Sequence, residues 1–88
     1  MKIVLSPLSE KQLKKLPKFD QIAVAERIRS LRDNKSIVSE ERLKGYKDIF
    51  RVRVGDYRVV YRKFSDRYYI ILIRHGKDVY GFLQRLLG

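Results

Sequence analysis

The chain has 88 residues, and Lys+Arg 21 against Asp+Glu 10 gives a formal charge of +11, with no cysteine and a single histidine, His75. That length holds one domain with a thin core, burying only about 60–65% of its unfolded surface. Hydrophobic residues at 44% exclude a disordered chain, the apolar run from Ile70 to Ile73 is far short of the ~20 residues of a membrane span, and the missing cysteines remove disulfides and zinc–thiolate sites.

The opening Lys2–Leu5 is rich in Ile, Val and Leu and leads straight into turn and charged residues, so a short strand is expected, no signal peptide, and a cytoplasmic location. Ser6-Pro7 forms an N-cap and first-turn pair for a helix over 7–16, with Leu13 and Leu16 three apart, Ser9 and Gln12 beside them, and Pro17 as the stop. Asp20 is expected to cap a second helix whose Ile22, Ala25, Ile28 and Leu31 or Arg32 recur at three-residue steps, with Val24 at the flank and Asn34 near the exit. The segment 35–47 keeps no period and contains Gly45, which predicts an exposed connection with a short turn around 40–43. Three strands follow at 49–54, 57–64 and 68–74, separated by Gly55-Asp56 and by a turn at Ser65-Asp66, and Val79, Phe82, Leu83, Leu86 and Leu87 space out a terminal helix over 79–87. The expected fold is a small single α+β domain spanning residues 1–88, an antiparallel sheet with an N-terminal two-helix hairpin on one face, in the order β-α-α-β-β-β-α.

A two-residue loop at Gly55-Asp56 makes paired positions sum to 111, so Arg53 faces Arg58 and Val52 faces Val59. Phe50, Val52, Val54, Tyr57, Val59 and Tyr61 then share the face that meets the helices. Arg51, Arg53, Arg58 and Arg62 share the other, four cations with no acid on that face of the hairpin. Like charges directly opposed weaken a sheet by a few tenths of a kcal/mol or more, and a solubilising face would alternate them with carboxylates. Guanidinium forks held on rigid strands instead suit a phosphate, and a polyanion is the partner that the net charge favours. In the next hairpin a three-residue loop, Ser65 to Arg67, sets Arg74 opposite Arg58; a two-residue loop would bury Arg74 unpaired, at a cost of several kcal/mol. His75 and Tyr80 follow that strand end.

Leu43-Lys44-Gly45, the string Phe50-Arg51-Val52-Arg53-Val54-Gly55-Asp56-Tyr57-Arg58-Val59-Val60-Tyr61 and Ile73-Arg74-His75-Gly76-Lys77-Asp78-Val79-Tyr80 together resemble the RelE toxins of the RelE/ParE superfamily, over nearly the whole chain. The resemblance implies the toxin of a type II toxin–antitoxin system, a ribosome-dependent mRNA endoribonuclease acting at the ribosomal A site without a metal or other cofactor. Its implied catalytic residues are Arg51, Arg53, Arg58, Arg74 and Tyr80, with His75 or Lys77 as the proton carrier and Lys44, Lys47 and Arg62 as further RNA contacts. Arg58 and Arg74 would hold phosphoryl oxygens, Arg51 and Arg53 would position the RNA backbone, and Tyr80 would orient the 2′-hydroxyl or stack on a base. Expected partners are an acidic RelB-like antitoxin, in an assembly such as a toxin–antitoxin heterotetramer, together with the ribosome and mRNA, and no membrane. Two positions depart from the family pattern: arginines stand at 51 and 53 where the best-known member has lysines, and Gly76 stands where many relatives have arginine. Arginine stays charged and cannot act as a base. The alternatives are a ParE-like inhibitor of DNA gyrase and a relative that binds RNA or the ribosome without cutting.

Overall fold

The computed structural model describes residues 2–33, 40–76 and 79–87. Lys2–Leu5 forms β1, Pro7–Lys15 α1, Lys18–Arg32 α2, Glu41–Arg42 β2, Ile49–Val54 β3, Tyr57–Lys63 β4, Arg67–His75 β5 and Tyr80–Leu87 α3. The five strands lie in the order β1-β5-β4-β3-β2. The meander walks back across the sheet, so its last strand lands beside the first, and β1 pairs with β5 in parallel. The sheet is therefore mixed where an antiparallel one was expected, and β2 adds a strand to the expected order.

Local chemistry accounts for most boundaries. The Ser9 N–H donates to the Ser6 side chain at 3.0 Å, and Pro7 occupies the first helical turn, where its missing donor costs nothing. Leu16 is already extended ahead of Pro17. Helix α2 starts at Lys18 behind Pro17 with no side-chain cap, so Asp20 lies in its first turn and favours the helix through charge and not as the cap. The buried line of α2 keeps Ile28 and Leu31 of the expected stripe and takes Val24 from its flank, while Ile22 is 51% exposed. Steps of four and three make one ridge that can lie along the sheet.

Two cores result, one on each face. Val24, Ile28 and Leu31 of α2 pack on Val52, Val59, Tyr61, Tyr68, Ile70 and Ile73. On the opposite face, Leu43, Ile49, Val60, Ile71 and Leu72 are covered by Val79 and Leu83 at the start of α3. The face expected to be open is thus half a core. The expected exposed connection also departs from its reading, because Leu43 is only 1% exposed and its N–H donates to Ile49 O at 2.9 Å.

Strands β4 and β5 are joined by a two-residue turn at Ser65-Asp66, with the Phe64 N–H donating to Arg67 O, which corrects the expected three-residue loop. Pairings run Lys63↔Tyr68 to Tyr61↔Ile70, and a bulge then shifts them to Val60↔Leu72, Val59↔Ile73 and Arg58↔Arg74. A bulge inserts one residue and reverses which face the rest of the strand presents. Without it Arg74 would oppose Tyr57 inside the helix-side core. Beyond Leu5 the free edge of β5 is covered by α1: the Ser6 hydroxyl donates to Ile71 O, the Ser9 hydroxyl to Ile70 O, and the Ile73 N–H to the Gln12 side-chain oxygen at 2.7 Å. Gln12→Met strands that buried N–H, so unfolding by denaturant is expected to show a loss of about 1–3 kcal/mol; an unchanged midpoint refutes the role.

Candidate functional site

The β3–β4 turn places Gly55 at φ 59, a left-handed conformation that suits glycine, and the register behind it is the expected one: Val54↔Tyr57, Arg53↔Arg58, Val52↔Val59. With the bulge in β5, Arg53, Arg58 and Arg74 form one row across three strands. The neighbouring row on the same face runs Glu41↔Arg51↔Val60↔Leu72 across four. Glu41, Arg51, Arg53 and Arg58 line a cleft of about 260 Å³.

Side chains in opposed strand positions stand only about 4.5–5.5 Å apart at Cβ, so the guanidinium groups must find separate partners. Arg51 donates to Glu41 through Nε at 3.3 Å and Nη2 at 3.1 Å. Arg53 folds back to the Gly55 carbonyl at 2.8 Å. Arg74 lies 4.4 Å from the centre of the Phe82 ring of α3, with its buried Nε lacking a hydrogen-bond partner among the described residues. Arg58, in the middle of the row, has neither ion pair nor hydrogen bond among the described residues.

Helix α3 and the β2 turn close the other side of the site. The Tyr80 hydroxyl accepts the Lys44 N–H at 2.8 Å, and the Tyr80 ring lies 6.0 Å from the Arg51 guanidinium. Tyr80 is 37% exposed, so a face of the ring remains available. Lys44 and Lys47 are exposed near this turn. Arg62 lies four residues, about 13 Å, along β4 from Arg58 and sits 3.4 Å from Asp48, an ion pair and not an aligned hydrogen bond. His75 opposes Tyr57 on the other face of the sheet, its ring edge-on at 5.2 Å. Lys77 lies outside the described residues.

The arginine face is therefore not free of acids, as the hairpin alone had suggested. Two carboxylates reach these arginines, Asp48 beside Arg62 and, in the cleft itself, Glu41, supplied from β2, a strand too short to show a two-residue period. The Glu41 side chain is 63% exposed while that of Arg51 is 24% exposed, so the pair borders solvent at the mouth of the cleft. Such an arrangement can bind a phosphodiester, neutralise charge that builds on phosphorus, and accept a proton beside it. No three His, Cys, Asp or Glu side chains converge among the described residues, and no helix among them is long and apolar enough to cross a membrane.

Residues 3–80 match the family model for the ParE toxin of the type II toxin–antitoxin system parDE. The chain belongs to that family and is a type II toxin of the RelE/ParE superfamily. No curated protein matches it by sequence. Its fold is that of the isolated Escherichia coli RelE toxin, with a TM-score of 0.75 at 13% identity over 98% of this chain and 95% of that one. It is similar also to a chain of the RelBE2 toxin–antitoxin complex of Mycobacterium tuberculosis, with a TM-score of 0.72 and 22% identity over 84% and 95%. The Staphylococcus aureus YoeB dimer gives 0.73 and 20% over 88% and 98%.

Proposed function

We propose that this toxin is an endoribonuclease that cuts mRNA on the ribosome, and that an acidic RelB-like antitoxin holds it silent. The observation that carries the reading is the cleft in which Arg51, Arg53 and Arg58 meet one carboxylate, with Arg74 and Tyr80 alongside. Arg58 binds the non-bridging oxygens of the scissile phosphate, and Arg74 and Arg53 flank it in the same row. Glu41 takes the proton of the ribose 2′-hydroxyl, whose oxygen attacks phosphorus. The P–O5′ bond breaks, the 5′-oxygen takes a proton from water, and a 2′,3′-cyclic phosphate is left. Tyr80 offers its exposed ring face to a base, while Lys44 and Lys47 contact the RNA further along.

A carboxylate base also removes a difficulty raised by the arginines at 51 and 53, which hold charge but cannot accept a proton. His75, on the far face, is not needed for this step. The cations are not confined to the cleft, either. Lys18, Arg29 and Arg32 are exposed on α2, which packs on the opposite face of the sheet. Positive charge on two sides of a body measuring 33 × 29 × 24 Å suits a substrate enclosed in a larger RNA assembly, and it supports action on the ribosome over action on a free strand.

The test is induced expression followed by mapping of 5′ ends on a translated and an untranslated copy of one message. Codon-phased cuts confined to the translated copy, ending in cyclic phosphate, are expected. The family match to ParE toxins favours one other reading, inhibition of DNA gyrase; DNA breaks without phased cuts would establish it. Growth arrest with neither would mark a toxin that binds without cutting.

A further inference from the structure

Residues 40 and 41 are both glutamates, and strand alternation sends their side chains to opposite faces of the sheet. Glu41 enters the arginine cleft. Glu40 turns to the helix side, where the buried Tyr61 hydroxyl donates to one of its oxygens and the Lys63 ammonium lies 2.6 Å from the other. That ammonium also sits 4.2 Å from the centre of the Phe50 ring and 5.6 Å from that of Tyr68. Tyr61 itself stacks between the same two rings, 6.2 Å from Phe50 and 5.6 Å from Tyr68. Burial, with the Glu40 hydrogen bond behind it, pushes the Tyr61 phenol above its ordinary value. The phenol stays a donor, and Glu40 has two fixed partners in an aromatic wall.

None of these groups lines the cleft, and an ionic network half-buried around the buried Tyr61 calls for a use. A strand of two residues has few ladder bonds to hold it, and β2 pairs only through Glu41↔Arg51 and Arg42↔Phe50. Among the described residues its other ties include the burial of Leu43, the Leu43 N–H to Ile49 O and the Lys44 N–H to the Tyr80 hydroxyl, all beyond its C-terminal end. At the N-terminal end the tie among the described residues is Glu40. We infer that Tyr61 and Lys63 are positioning residues, which act through Glu40 to hold β2 in register and so set the Glu41 carboxylate against the cleft. The inference rests on Glu41 being the proton acceptor, and it assigns work to side chains on the face away from the RNA.

Tyr61→Phe keeps the ring and removes only the hydroxyl, so the aromatic stack is retained. Displacing a catalytic group by a fraction of an ångström is enough for about a tenfold loss of the single-turnover cleavage rate on programmed ribosomes, with affinity for them unchanged. Amide exchange at Leu43 in the free toxin is expected to quicken by about tenfold, as the short strand opens more often. Because Tyr61 acts through Glu41, the loss should vanish in a Glu41→Gln background, where a general packing defect would instead multiply. Glu40→Gln, which keeps an acceptor for Tyr61 but not the charge facing Lys63, should reproduce both effects in part. Parental exchange at Leu43 in Tyr61→Phe, or a loss that multiplies with Glu41→Gln, overturns the inference. Failure of the proton-acceptor reading has a separate signature, full cleavage by Glu41→Gln alone.

Discussion

Arg58→Ala is expected to abolish growth arrest on induction and to slow cleavage on programmed ribosomes by about 10²- to 10³-fold, the usual cost of losing one preorganised donor to a developing oxyanion. The effect is large because Arg58 is the middle member of the Arg53, Arg58 and Arg74 row and the one without an internal partner among the described residues. Its neighbours cannot replace it. Arg53 is turned to the Gly55 carbonyl and Arg74 lies on Phe82. Stability should hold or rise by a few tenths of a kcal/mol, because the change removes like charges facing each other across two strand pairs. Arg58→Lys keeps charge but loses the planar fork, and an intermediate rate is expected. Arg67→Ala is the control: Arg67 pairs with Asp66 and lies on Phe64 at the distant β4–β5 turn, so toxicity should persist. An Arg58→Ala protein as toxic as the parent would remove the phosphate from this row.

Glu41→Gln is expected to separate binding from chemistry. Without the carboxylate the 2′-hydroxyl has no positioned acceptor, and the cleavage rate should fall by about 10²- to 10⁴-fold, the range that general acid–base catalysis supplies. RNA affinity should move the other way. The change deletes a negative charge from the cleft and releases Arg51, which Glu41 now holds at 3.1 Å, to pair with phosphate. Tighter binding with a steeper salt dependence follows, by about one further counterion released. Arg51→Ala should instead weaken binding and rate together. Single-turnover kinetics and salt titrations of the two variants check the pair. Undiminished cleavage by Glu41→Gln would mean that the proton leaves to another group, and the exposed ion pair would then be a surface contact of the modest kind.

The first arginine hairpin could be read from residues alone because its information is local. Gly55-Asp56 sets a two-residue turn, period-two alternation sorts Val52 and Val59 from Arg53 and Arg58, and pairing follows by counting. The second hairpin shows where counting stops. Arg74 does face Arg58, yet through a two-residue turn and a bulge in place of the expected longer loop. The burial argument held where the turn assignment did not: an unpaired arginine in the helix-side core is too costly, and the chain avoids it by whichever irregularity is available. Asp20 as a cap and Ile22 as a core residue failed for a related reason. Helix periodicity leaves the rotation of a ridge loosely defined, and packing on the sheet kept Ile28 and Leu31 of the expected stripe but took Val24 from its flank in place of Ile22.

Residue order by itself determined the element sequence apart from β2, the turn at Gly55-Asp56 and the gathering of guanidinium groups on one sheet face, since each depends on neighbours within a few positions. Only the tertiary structure decided that this face is half covered by α3, that Glu41 enters the cleft and that His75 leaves it. A two-residue strand, a parallel edge pairing and a bulge have no periodic signature. Their placement depends on which distant surfaces must be buried and which backbone groups must find partners.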